Sequence, residues 1–111
     1  MRYRPRMAVT YVIEFHVVPA QLERFHQLLG GVLDAMREEV NFHEAVLHRD
    51  PADAHRFMLY ETWADHDDVV AHQLGRPYRE AWHAALGELL VRPRGVSMWE
   101  SIRTDRRPSS R

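Results

Sequence analysis

The sequence predicts an α+β fold in which four strands and two helices follow the order β-α-β-β-α-β. Three stretches carry that reading: an alternating run from Ala8 to Val18, an amphipathic run from Ala20 to Met36, and a segment from Arg56 to Trp82 that changes from strand to broken helix. Between Ala8 and Val18, Val9, Tyr11, Ile13, Phe15 and Val17 point one way while Thr10, Glu14 and His16 point the other, the period-two pattern of a half-buried strand. Pro19 ends it.

From Ala20 the period lengthens. Leu22, Phe25, Leu28, Leu29, Val32, Leu33 and Met36 recur three or four residues apart, with Glu23, Arg24, Gln27, Asp34 and Arg37 on the opposite face, so this is the first helix. Gly30-Gly31 inside it costs about 1 kcal/mol per glycine against alanine, and close packing or a bend is the expected reason. Phe42 to Arg49 is the second strand, Asp50-Pro51-Ala52-Asp53 has turn chemistry, and Arg56 to Trp63 is the third strand, so the two form a hairpin. Asp65 can accept from the free amides that open a helix, and Asp67 and Asp68 suit its positive end. The second helix therefore runs from Asp65 to Leu90, with a break at Gly75 and a restart at Pro77. Val96 to Ile102 alternates again as the fourth strand. This order is the ferredoxin-like arrangement, a four-stranded antiparallel sheet with two helices on one face. The domain is expected over residues 7–103, with flexible basic tails at 1–6 and 104–111.

Composition excludes several classes of function. With 111 residues and 45% hydrophobic content, one soluble domain is expected, and no apolar run approaches the roughly 20 residues of a membrane helix. A net charge of −1 gives no concentrated basic face for nucleic acid. All 15 basic residues are arginine, so Schiff-base chemistry is out, and the absence of cysteine removes disulfides and thiolate chemistry. MRYRPRM lacks an apolar stretch and cleavage site behind it, so a cytoplasmic protein is expected.

Two helices cover one face of such a sheet. Large apolar groups nevertheless occur on both faces of three strands: Tyr11 and Val12, Phe57 and Met58, Met98 and Trp99. A second copy of the sheet is the economical cover, which predicts a homodimer packed face to face.

Tyr60-Glu61-Thr62-Trp63, then Ala71-His72 and Pro77-Tyr78, resemble the E-x-W, A-H and P-H signature of the antibiotic biosynthesis monooxygenase superfamily. Val17-Val18-Pro19 and Arg37-Glu38-Glu39 resemble the corners that flank its first helix. The resemblance covers Ala8 to Ile102. It implies a dimeric α+β barrel with a pocket between sheet and helices, whose members oxygenate phenolic polyketides or quinols with no flavin, haem or metal cofactor; a related branch binds and degrades haem. Trp63 and His72 carry over. Leu59 and Val69 stand where the polyketide type has Asn and Tyr, the first strand lacks the Asn of the haem-degrading type, Asn41 replaces a Gly, and Tyr78 replaces the second His.

A cofactor-free oxygenase needs a base, a dry aromatic pocket and donors for a phenolate. His72 is the expected base, Trp63 shapes the pocket, Tyr78 and Arg79 are candidate donors to substrate, and Trp82 is a stacking wall. Glu61 is read either as a buried acid with a raised pKa or as the ion-pair partner of Arg79. The eight histidines show neither H-x-H on a strand nor H-x-x-x-H on a helix, so no metal is expected, and His16, His26, His55 and His83 are assigned to the surface. The predicted activity is oxidation of a small phenolic, quinol or polyketide-type aromatic by O₂. The alternative is a dimeric module that binds a small aromatic or haem without turnover.

Overall fold

The computed structural model describes residues 8–109. The first strand, β1 (Val9–His16), buries Val9, Tyr11, Ile13 and Phe15, and Val17 continues the same face into a single bridge with Leu90. Pro19 starts a 3₁₀ turn, Pro19–Gln21, that feeds α1 (Leu22–Met36). Phe25, Leu29, Val32 and Met36 are its buried residues, as the helical period requires. The helix runs through Gly30 and Gly31, and a Cβ added at either would meet nothing within 4 Å. Close packing therefore does not account for the pair.

The hairpin joins β2 (Phe42–Asp50) to β3 (Asp53–Trp63), with β3 starting earlier than the sequence pattern suggests. Its turn is held by the Asp50 carboxylate, which accepts from the amide of Ala52 at 2.8 Å. Asp65 opens the next helix and accepts from the amide of Asp67, as predicted.

That helix departs from the expected single element. A short α2 (His66–Asp68) widens at once into a π turn, Val69–Gln73, closed by Leu74 N–H donating to Val69 C=O at 3.1 Å. Pro77 then forces the residue before it out of helical backbone, and Arg76 is extended with ψ 134°. The chain restarts as a 3₁₀ turn, Pro77–Arg79, and α3 (Glu80–Leu89). The last strand is β4 (Gly95–Glu100). Residues 101–109 form no helix or strand, and the expected tail at 1–6 lies outside the described residues.

The sheet is antiparallel with order β2-β3-β1-β4, which puts β1 and β3 at its centre. Phe15, Phe25 and Trp82 meet with ring centroids 5.3–5.8 Å apart, and Phe57 lies 5.1 Å from Phe25. Each such pair adds about 0.5–1.5 kcal/mol beyond the area buried, so this cluster anchors both longer helices to the sheet. The cross-strand register puts Tyr11, Glu61 and Met98 on the helix side, and Thr10, Thr62 and Trp99 on the other. On that other side Val46 and Trp99 are exposed, and Val12, Met58 and Tyr60 are half-buried. Among the described residues no helix is long and apolar enough to cross a membrane.

Candidate functional site

Between the sheet and the helices lies a cavity of about 190 Å³. Its floor is the inward face of β1 and β3, where alternation delivers Tyr11, Ile13, Leu59 and Glu61 side by side. Leu29, Val32 and Met36 of α1 and Trp82 of α3 close the walls. The π turn forms the roof, because an i→i+5 hydrogen bond turns Val69 and Leu74 to the same side. Val70, Leu74 and Val96 are exposed at the mouth, so the cavity opens to solvent on one flank.

Six polar side chains enter this apolar space. The Tyr11 hydroxyl and His66 Nδ1 are 2.6 Å apart, joining the centre of the sheet to the first residue of α2. Burial, then the carboxylates of Glu61, Asp65 and Asp67, push the Tyr11 phenol above its ordinary value. The phenol stays protonated, and it donates to Nδ1 in the tautomer that carries the ring proton on Nε2.

Glu61 is 6% exposed, and its carboxyl accepts from Trp63 Nε1 at 3.2 Å. Burial raises its pKa, and the attraction of Arg79 and Arg94 only partly offsets this. Of the two readings the sequence offered for Glu61, the raised acid is the better description. Arg79 is also only 6% exposed, with its guanidinium carbon 5.9 Å from the Trp63 ring centre and 5.7 Å from that of Tyr78. Those ring faces attract the cation but accept little from its N–H groups. Arg79 Nε and Nη2 have no hydrogen-bond partner, a deficit worth about 1–3 kcal/mol when a buried donor is left unmet. His83 and Arg94 complete the set, both half-buried. Burial and the two nearby arginines lower the His83 pKa, which keeps that imidazole neutral near neutral pH.

The structure brings together only part of the site expected from sequence. Arg79 and Trp82 line the cavity. Trp63 is fully buried behind Glu61 and positions it through the indole N–H, without reaching the cavity wall. Tyr78 turns away, its hydroxyl donating to Glu39 at 3.4 Å. His72 is exposed and absent from the cavity wall, because the π turn rotates it outward where the sequence pattern implies a regular helix. His83, assigned to the surface, lines the cavity instead. Tyr11, His66 and Arg94 were missed. Tyr11 was visible as an inward residue of β1, but pairing it with His66 needs the β1–β3 register.

Comparison with known proteins agrees with this architecture. A protein of Pestalotiopsis microspora, named provisionally as a monooxygenase, is 28% identical over 103 residues, covering 92% of this chain and 86% of that protein. SnoaB, a cofactor-independent oxygenase from Streptomyces nogalater, superposes with a TM-score of 0.74 at 22% identity, over 87% of this chain and 95% of the other. A Nitrosomonas europaea structure, provisionally named an antibiotic biosynthesis monooxygenase, gives a TM-score of 0.79 at 17% identity, over 91% and 96%. The family model for antibiotic biosynthesis monooxygenases matches residues 8–85, the segment that supplies the sheet centre, the π turn and Trp82, and the chain belongs to that family.

Proposed function

We propose that the protein is a cofactor-independent monooxygenase that oxidises a single-ring phenol or quinol with O₂, working as a cytoplasmic homodimer through the outer sheet face. The observation that carries this reading is the hydrogen-bonded Tyr11–His66 pair set into a largely apolar cavity. A cavity of about 150 Å³ takes benzene, so about 190 Å³ suits one substituted ring, with larger substituents leaving through the mouth. A tetrapyrrole does not fit that volume, and the size therefore favours the aromatic over haem.

The chemistry follows from the groups present. The substrate hydroxyl gives its proton to the Tyr11 oxygen as Tyr11 passes its own to His66 Nδ1. The electron-rich anion transfers one electron to O₂, and the two radicals combine at a ring carbon as a peroxide. His66 returns the proton to the peroxide through Tyr11. Loss of the ring hydrogen with water then leaves a quinone. A phenol and O₂ become a quinone and H₂O, all four electrons come from the substrate, and no external reductant is needed. The apolar walls exclude water that would solvate the anion and slow the electron transfer.

Leu59 and Val69 line the cavity where the family resemblance places polar catalytic groups, and this favours one further reading, an aromatic-binding module without turnover. Oxygen uptake with a single-ring quinol decides between them. Consumption that is lost in Tyr11→Phe supports the oxygenase, and saturable binding of unaltered ligand supports the module.

A further inference from the structure

We infer that Glu61 is a second group in contact with the substrate, its free carboxyl oxygen standing beside the Tyr11 hydroxyl and donating a hydrogen bond to the phenolate formed there. The inference rests on reading the cavity as the place where a phenol is ionised, and it does not depend on the later reaction with oxygen.

The sheet register puts the two groups together. Tyr11 and Glu61 are directly opposed on the two central strands and share the inward face, so their Cβ atoms are about 4.5–5.5 Å apart. Both line the cavity. The Tyr11 hydroxyl bonds to His66 and the Glu61 carboxyl to Trp63, so the two do not satisfy each other and both remain available to one ligand oxygen.

The carboxyl oxygens of Glu61 have different surroundings. Oε1 accepts from Trp63 Nε1 at 3.2 Å, which anchors that side of the group. Oε2 has no hydrogen-bond partner, yet it is not sealed in: among the described residues, the enclosed side-chain atoms without a partner are two nitrogens of Arg79. The residue is only 6% exposed and sits in the cavity wall, so the surface left to Oε2 is the cavity.

These surroundings also select the form of the group. A buried carboxylate is held by an ion pair or by several N–H donors, and Glu61 has one indole donor and no ion pair among the described residues. It is faced by Tyr11 on β1, Ala45 on β2, Arg79 in the 3₁₀ turn and Arg94 in the loop before β4. The two guanidinium groups act on it without hydrogen bonding to it, and burial outweighs them. The neutral acid is therefore favoured, with its proton on Oε2 because Oε1 accepts from Trp63. In that form it adds no negative charge beside the anion. Tyr11, holding the proton taken from the substrate, is a donor again, and two O–H groups converge on the phenolate. Hydrogen bonds to an ionised acceptor are about twice as strong as neutral ones, so the pair stabilises the ionised ligand more than the phenol.

4-Nitrophenol has one ring and absorbs at longer wavelength as the anion. Spectrophotometric titration of the purified protein with it, slightly below neutral pH, reads how much of the bound ligand is ionised. The wild type is expected to bind the anion. Glu61→Gln should retain it, because the amide donates in place of the acid and its carbonyl still accepts from Trp63 Nε1. Glu61→Leu should lower the ratio of ionised to neutral bound ligand at least about tenfold, the scale of one charge-assisted bond. If circular dichroism shows Glu61→Leu unfolded, infrared difference spectra of the wild type carry the test. They should show a protonated carboxyl band that moves to lower frequency when 4-nitrophenol binds and that is missing in Glu61→Gln. No binding at millimolar concentration, neutral bound ligand in the wild type, an unchanged ratio in folded Glu61→Leu, or a carboxyl band unmoved by the ligand would overturn the assignment. Ionised bound ligand without oxygen uptake from hydroquinone retains the site and removes the oxygenase; oxygen uptake that is intact in Glu61→Leu does the opposite.

Discussion

The Tyr11 hydroxyl lies 2.6 Å from His66 Nδ1, linking the middle of β1 to the start of α2 across 55 positions of chain. This contact puts a hydrogen-bonded phenol–imidazole pair at the cavity, and the base proposed above is therefore a different histidine from the one the signature suggests. Tyr11→Phe removes one oxygen and keeps the ring that packs on the sheet. Its turnover with a single-ring quinol should fall about 10²–10⁴-fold, the usual range for general acid–base groups, while its circular dichroism spectrum is retained. His66→Ala should match it. His72→Ala, at an exposed position outside the cavity wall, should stay within about twofold of wild type in the same kinetic assay.

Glu61 makes stability depend on pH in a direction opposite to most carboxylates. Burial raises its pKa in the fold, so the folded chain holds this proton where the unfolded chain has released it. The contribution is complete below the ordinary carboxylate range and is lost as pH rises through the raised value. Glu61→Gln keeps an acceptor for Trp63 Nε1 and has no proton to lose. Urea titrations from acid to neutral pH should show a smaller fall in stability for Glu61→Gln than for wild type; parallel curves would mean that the carboxyl is not desolvated.

Gly31 stands exposed in the middle of α1, and a methyl group placed on its Cα would meet nothing within 4 Å. Gly31→Ala should therefore stabilise the protein by about 0.4–1 kcal/mol, mainly by restricting the unfolded chain. Thermal denaturation checks this, and a lower melting temperature would show that the methyl group meets something in the assembled protein.

Trp99 leaves 61% of its surface exposed on the sheet face away from the helices, the face that also carries half-buried Val12, Met58 and Tyr60. A second copy covering that face requires the wild type to be a dimer by light scattering at micromolar concentration. Trp99→Arg should shift it toward monomer, since an unpaired charge buried in such an interface is costly. A monomeric wild type would rule the dimer out.

Alternation and amphipathicity made most of the fold legible. Val9 to Val17 buries the residues its period selects, and Leu22 to Met36 buries Phe25, Leu29, Val32 and Met36 with Leu22, Leu28 and Leu33 half-buried beside them, because in both elements one face meets the core. The segment after Trp63 was only half legible. Asp65 and Pro77 mark a start and a break, but nothing in the local pattern distinguishes a π turn from an α-helix, and that difference leaves His72 off the cavity wall, with Val69 buried in the roof and Leu74 at the mouth. The candidate site was less legible because it is assembled by register. Tyr11 and Glu61 are cross-strand partners, His66 lies 55 positions from Tyr11, and Arg94 sits in the loop before β4. Trp63 bonds to Glu61 and faces Arg79 from behind the cavity wall, while Trp82 lines the cavity as the sequence reading expects.

Oxygen consumption by the wild-type protein with hydroquinone, measured by electrode alongside product analysis, tests the central claim most directly. Catalytic uptake is expected without added flavin, haem or metal, with formation of an oxygenated quinone product and loss of both in Tyr11→Phe. Saturable binding with no uptake above the buffer rate, or full uptake in Tyr11→Phe, would contradict it.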